Sequence, residues 1–89
     1  MDRCNQPPKR GAVVAAAFGL LVRQLRQSWC TQEKLAELAG IDRTYVQLLE
    51  RGLRQPTVGV FLCLATALRV EPAQLIDLTI AEIRRRASH

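Results

Sequence analysis

The sequence predicts an all-α domain of five short helices with a helix-turn-helix at its centre. Apolar residues recur at helical spacing in five stretches, and glycine, proline and hydrogen-bonding cap residues punctuate them. Within residues 31–54, TQEKLAELAGIDRTYVQLLERGLR, two amphipathic stretches are split by Gly40. A chain of 89 residues with 48% apolar content supports one small domain with a single core, without metal or disulfide staples.

Residues 1–11 hold Pro7, Pro8, Gly11 and mixed polar groups, so they have little to bury and are expected to form a flexible N-terminal arm, with the domain proper over 12–89. From Ala12 to about Gln27, the residues Val14, Phe18, Leu21, Val22 and Leu25 make one apolar face, with Arg23, Gln24, Arg26 and Gln27 opposite. This is the first helix. The apolar run Ala12 to Val22 also resembles the core of a signal peptide, but Arg23 and Arg26 stand where a small-residue cleavage site belongs, and eleven residues are too few to span a bilayer.

Thr31 is the N-cap expected for the second helix, whose inward face takes Leu35, Ala36, Leu38 and Ala39, and Gly40 suits a left-handed closing residue. After Ile41, Asp42 is the expected cap of a third helix that turns Val46 and Leu49 inward and stops at Gly52. Its outward positions are Arg43, Thr44, Gln47 and Leu48. A short glycine-containing turn lets two helices cross steeply enough for the second to enter a DNA major groove, although an ordinary helical hairpin shares that periodicity.

Arg54, Gln55 and Pro56 break the pattern. Thr57 then caps a fourth helix with Val58, Phe61, Leu64, Ala65 and Leu68 inward, leaving Leu62 and Cys63 for a second surface. Pro72 suits the first turn of a fifth helix. Leu75 and Leu78 are assigned to the core, while Ile76, Ile80 and Ile83 exceed what a solvent-facing helix needs and are assigned to a dimer interface. Three arginines, Arg84 to Arg86, complement the carbonyl end of that helix.

Thirteen Lys and Arg residues against eight Asp and Glu give a net charge of +5, which favours a polyanionic partner. Eleven of the thirteen are arginine, the side chain suited to bidentate contact with phosphate or guanine. Cys4, Cys30 and Cys63 lack metal-ligand spacing and form an odd count, so neither a zinc site nor a disulfide framework is indicated and a reducing, cytoplasmic setting is expected. With one histidine, at the terminal position 89, and no glycine-rich phosphate loop, nothing assembles into catalytic machinery, and no cofactor is expected.

The pattern TQEKLAELAGIDRTYVQLLERGLRQP followed by VFLCLATALRV resembles the Cro and phage-repressor-like helix-turn-helix family, also called the xenobiotic response element family, over roughly residues 14–78. Within it, AspArgThrTyr at 42–45, GluArgGly at 50–52 and Arg54 resemble controller proteins of restriction-modification systems. The resemblance implies a compact five-helix lambda-repressor-like fold and a homodimer on double-stranded DNA with a symmetric operator. It further implies that Glu50 pairs with Arg26 or Arg23 of the first helix, and that Arg54 contacts DNA. Two departures stand out: the Arg26 to Gln32 connection is one residue short, and Arg69 occupies a position where the family often has glycine.

The expected DNA-binding residues are therefore Gln32, Arg43, Thr44, Tyr45, Gln47 and Arg54. Gln32, opening the second helix, holds a phosphate through its amide and free backbone N–H groups. Arg43 is the candidate for bidentate reading of guanine O6 and N7, with Thr44 beside it. Tyr45 offers a ring for packing and a hydroxyl for phosphate, and Gln47, one turn on, reaches a base edge or the backbone. RNA polymerase or a toxin are further partners open to such a regulator. The competing readings are an antitoxin that controls its own operon and a helix-turn-helix protein-interaction module without DNA binding.

Overall fold

The computed structural model describes residues 8–87, which form five helices: α1 (Pro8–Gln27), α2 (Gln32–Ala39), α3 (Arg43–Glu50), α4 (Val58–Ala67) and α5 (Pro72–Ala87). The expected arm over residues 1–11 lies outside the described residues as far as residue 7, and residues 8–11 belong to α1 instead. Proline explains the early start: its fixed φ suits the first helical turn, where its missing N–H removes no intrahelical bond.

Helix α1 packs on α3 and α5, α2 on α3 and α4, and α4 on α5. One core joins them, with Phe18 and Val22 of α1, Leu35 of α2, Val46 and Leu49 of α3, Leu64 and Leu68 after them, and Leu75 of α5. The Phe18 and Phe61 rings tilt against each other with centroids 5.6 Å apart. Three apolar residues assigned inward are exposed: Leu38, Val58 and Leu78. Helix α2 buries the stripe Leu35, Ala36 and Ala39, and Leu38 falls more than a quarter turn away from its centre. Leu78 likewise lies beside the buried line Leu75, Thr79 and Glu82 of α5, while Val58 opens α4 at the edge of the core.

Thr31 and Thr57 cap their helices as expected, each hydroxyl accepting from the backbone N–H three residues on, at 3.0 Å from Lys34 and 3.1 Å from Val60. Asp42 occupies the N-cap position of α3 but its side chain makes no capping hydrogen bond. The other ends are closed by a shared device. A residue of positive φ closes α2, α3 and α4: Gly40 (72°) directly after α2, and Gly52 (75°) and Arg69 (62°) two residues past the ends of α3 and α4. The N–H of the following residue, Ile41, Leu53 or Val70, then reaches back to the carbonyl of Ala36, Leu48 or Ala65, as in a Schellman motif. The departure at Arg69 is accommodated by adopting the glycine-favouring conformation with an arginine.

A buried ion pair fastens α1 to the end of α3. Arg26 Nε donates to Glu50 Oε2 at 2.5 Å and Nη2 to Oε1 at 3.0 Å, while Nη1 donates to the Cys30 carbonyl at 3.0 Å. The side chains are only 11% and 3% exposed. The hydrogen bond to Glu50 holds the Arg26 guanidinium pKa above its ordinary value, against the opposing effect of burial. The short connection after Arg26 therefore does not prevent the pairing, and Arg26 rather than Arg23 supplies the cation. Beside this pair Gly19 lets α1 cross α3 at backbone contact, since a Cβ there would lie 2.1 Å from the Leu49 carbonyl oxygen.

At the far end of α5, Glu82 is buried and accepts from Arg85 Nη2 at 2.7 Å and Arg86 Nε at 3.0 Å. The hydrogen bond from Arg85, above all, holds its carboxyl below the usual glutamate range. Its neighbour Thr79 is satisfied by donating to the Leu75 carbonyl at 2.8 Å. Among the described residues no single helix is long and apolar enough to cross a membrane.

Three outcomes are expected. Glu50→Ala strands a buried guanidinium and lowers stability by about 3–5 kcal/mol, read as a drop in urea midpoint. Gly19→Ala forces α1 off α3 and costs about 1–3 kcal/mol, visible as a lowered Tm. Because the folded-state pKa of Glu82 is depressed, its contribution is present above the ordinary glutamate pKa and fades as pH falls through the folded value. Glu82→Gln accordingly flattens the acid limb of the stability-versus-pH curve measured by circular dichroism.

Candidate nucleic-acid interface

The α2–turn–α3 unit is built by Gly40, whose left-handed backbone reverses the chain with no neighbouring heavy atom within 4 Å of an added Cβ. Space is therefore not what requires glycine there; backbone conformation is. Burial of Val46 and Leu49 then fixes the rotation of α3 about its axis. With those two turned inward, Arg43 and Thr44 are left exposed on the first turn, and Gln47 and Leu48 are half-buried one turn later.

Thr44, Tyr45 and Leu48 line a shallow concavity together with the turn residues Gly40, Ile41 and Asp42 and with Arg54 from beyond the helix. The tertiary fold thus gathers three of the expected site residues, Thr44, Tyr45 and Arg54, around one surface. Arg43 stands exposed in the same first turn of α3 as Thr44 and Tyr45. Arg51 and Arg54 are also exposed, which adds positive charge to the segment leaving α3.

Tyr45 is half-buried, packs against the core and donates its hydroxyl to the Gln55 carbonyl at 3.4 Å. The side-chain amide of Gln55 in turn donates to the Gly11 carbonyl at 3.4 Å, so the segment carrying Arg54 is tied both to α3 and to the start of α1. The hydroxyl expected to seek a phosphate thus has an internal acceptor. Sequence periodicity marks a tyrosine at a helix boundary but not the carbonyl that meets it.

Gln32 is likewise engaged within the protein. Its Nε2 donates to Glu50 Oε1 at 3.0 Å, leaving the other amide hydrogen and the unpaired backbone N–H groups of the first turn of α2. Arg26, Glu50 and Gln32 therefore form one network that holds the start of α2 against the end of α3. The contribution of Gln32 is fixed in orientation by that network, a detail that a pairing between residues 18 apart in sequence hides from local reading.

Ile76 and Ile80 are exposed and Ile83 is half-buried, on one stripe of α5 beside its buried face. Ile76 borders an apolar groove with Val14, Phe18, Val58, Phe61 and Leu62. Exposed Leu62 and the exposed thiol of Cys63 fall on the second surface of α4, as expected from the sequence. Among the described residues no cluster of His, Cys, Asp and Glu is arranged to hold a metal ion.

Comparison with known proteins agrees with this geometry. A helix-turn-helix family profile matches residues 22–75. Control protein C.BamHI of Bacillus amyloliquefaciens is 41% identical over 64 residues, 70% of this chain and 79% of that protein. The restriction-modification controller protein C.AhdI from Aeromonas hydrophila has a TM-score of 0.66 at 45% identity, over 68% of this chain and 94% of its own. The restriction-modification controller protein C.Esp1396I, solved as a tetramer in complex with its natural 35 base-pair operator, has a TM-score of 0.71 at 27% identity, over 79% of this chain and 93% of its own. The profile spans α2, α3, α4 and the turn between α2 and α3, the elements that form the surface described above, and on that basis the chain belongs to the helix-turn-helix family, with restriction-modification controller proteins among its relatives.

Proposed function

We propose that this protein is a sequence-specific DNA-binding transcriptional regulator that acts as a homodimer on a symmetric operator and controls restriction-modification genes. The observation that carries the reading is the exposed first turn of α3, where Arg43 and Thr44 project from a helix whose rotation is fixed by buried Val46 and Leu49. The controller relatives, one of them solved on its operator, support the same use of this surface.

In this reading α3 enters the major groove by its N-terminal end. Arg43 pairs with guanine O6 and N7, and Thr44 contacts the neighbouring base edge or phosphate. Gln47 reaches the groove wall from the next turn. Tyr45 contributes its ring to the rim and its hydroxyl to the loop, so that Arg54 is presented to the backbone. Gln32 and the first turn of α2 meet a phosphate. No step of this function calls for catalytic chemistry or a cofactor, and the setting is the cytoplasm, where the DNA is.

Dimerisation places two α3 helices about 34 Å apart, one helical turn of DNA, and the apolar stripe Ile76, Ile80 and Ile83 supplies the subunit contact. A dimer also doubles the net charge of +5, which strengthens association with the duplex. Residues 12–89 thus combine the DNA-reading and dimerisation roles. Whether the bound dimer recruits RNA polymerase or occludes it depends on where the operator lies.

The test is to incubate the purified chain with random duplexes at near-physiological salt, then recover and sequence the bound fraction. An enriched inverted repeat is the expected result. No enrichment from a folded dimer overturns the reading in favour of a partner-binding module, and co-purification with a small toxin favours an antitoxin. On the enriched site, Arg43→Ala is expected to cost about 1–3 kcal/mol and to relax preference at one base pair, measured by titration against single-base variants.

A further inference from the structure

Arg69 is the one non-glycine residue with positive φ among the described residues. It closes α4 as Gly40 closes α2 and Gly52 closes α3, with the Arg69 N–H bonded to the Thr66 carbonyl at 3.1 Å and the Val70 N–H to the Ala65 carbonyl at 2.9 Å. Glycine adopts that conformation without the crowding that a Cβ brings, so helix closure alone does not select arginine. The side chain is exposed and its guanidinium carbon lies 5.2 Å from the ring centroid of Trp29, which is itself 41% exposed. A cation–π contact in such an open setting is at the weak end of its range, and it does not account for a disfavoured backbone either.

The pair has a defined position. Trp29 sits in the α1–α2 connection, where its N–H bonds to the Arg26 carbonyl at 3.0 Å, and it precedes Thr31, the N-cap of α2, by two residues. Its Cα therefore lies within about 8 Å of the Thr31 Cα. The same connection runs between Arg26, which holds Glu50, and Gln32, which donates to that carboxylate. The contact thus sets an exposed positive charge beside the α1–α2 connection, which leads into the end of α2 that the proposed function turns toward a phosphate.

We propose that Arg69, stacked on Trp29, is a further phosphate contact that extends the DNA footprint beyond α2 and α3. The proposal rests on the DNA-binding reading above. Arginine suits the task because its planar guanidinium can stack on an indole face and still direct N–H groups outward to an anion. The contact is with the backbone, so it raises affinity for operator and unrelated duplex alike and carries no base preference.

The test compares the parent chain with Arg69→Gly and Trp29→Leu on a duplex bearing the enriched repeat and on an unrelated duplex, across a salt series. Arg69→Gly relieves the backbone and is expected to melt at or above the parent temperature. It is also expected to bind both duplexes more weakly by a similar factor, with a salt slope shallower by about 0.9 per subunit, or about 1.8 per dimer. Trp29→Leu keeps the charge but frees it, and should weaken both duplexes by a smaller factor.

A raised melting temperature with unchanged affinity and slope would assign Arg69 to the fold alone and overturn the proposal. Loss confined to the repeat would make it a base contact and also overturn it. A parent chain that binds neither duplex removes the DNA-binding reading itself, an outcome separate from a parent that binds and a variant that matches it.

Discussion

The Arg26–Glu50 pair governs how the α2–turn–α3 unit is presented, because together with Gln32 it ties one end of each of three helices to a single carboxylate. Arg26 comes from the last turn of α1, Glu50 from the last residue of α3, and Gln32 from the first residue of α2, and all three meet through one carboxylate. Placing a guanidinium and a carboxylate where they are 11% and 3% exposed carries a desolvation cost that the bidentate geometry and the additional bonds to Cys30 and Gln32 offset. The benefit is geometric. Hydrophobic packing of Val46 and Leu49 sets the rotation of α3, and the ion pair sets where its far end lies relative to α1 and α2.

That constraint explains why Gly19 sits where it does. For Arg26 to reach Glu50, α1 must cross the C-terminal turn of α3 closely, and a side chain at position 19 would meet the Leu49 and Glu50 carbonyls. The closure of α3 at Gly52 is similarly tight, since an added Cβ would approach the Ala16 backbone at 3.1 Å. Polar and steric requirements thus coincide at one crossing, and α3 is held at its C-terminal end while Arg43 and Thr44 of its first turn stay exposed.

The surface in front is organised by weaker links. Tyr45 anchors the Gln55 carbonyl, Gln55 anchors Gly11, and Arg54 lies between α3 and that tether. Local order of this kind limits the conformations open to an exposed arginine, and so reduces the entropy that any contact it makes would cost. Away from that surface, α5 divides its faces. Leu75, Thr79 and Glu82 face the interior, while Ile76 and Ile80 remain exposed on the adjoining stripe.

Helical periodicity, the threonine caps and the glycine stops at 40 and 52 determined the five elements and the position of the α2–turn–α3 unit, because these are local signals read within a turn or two of chain. The exposed character of Arg43 and Thr44 also followed, since Val46 and Leu49 leave them little choice of face. Tertiary structure decided the rest. Leu38, Val58 and Leu78 have the composition of core residues, but which apolar side chain is buried depends on where neighbouring helices lie, and those neighbours bypass all three. The engagement of Gln32 by Glu50, of Tyr45 by Gln55 and of Arg69 by Trp29 was likewise fixed only by the crossing of distant segments, because a hydrogen bond or stacking contact requires a separation of a few ångströms that sequence spacing does not encode.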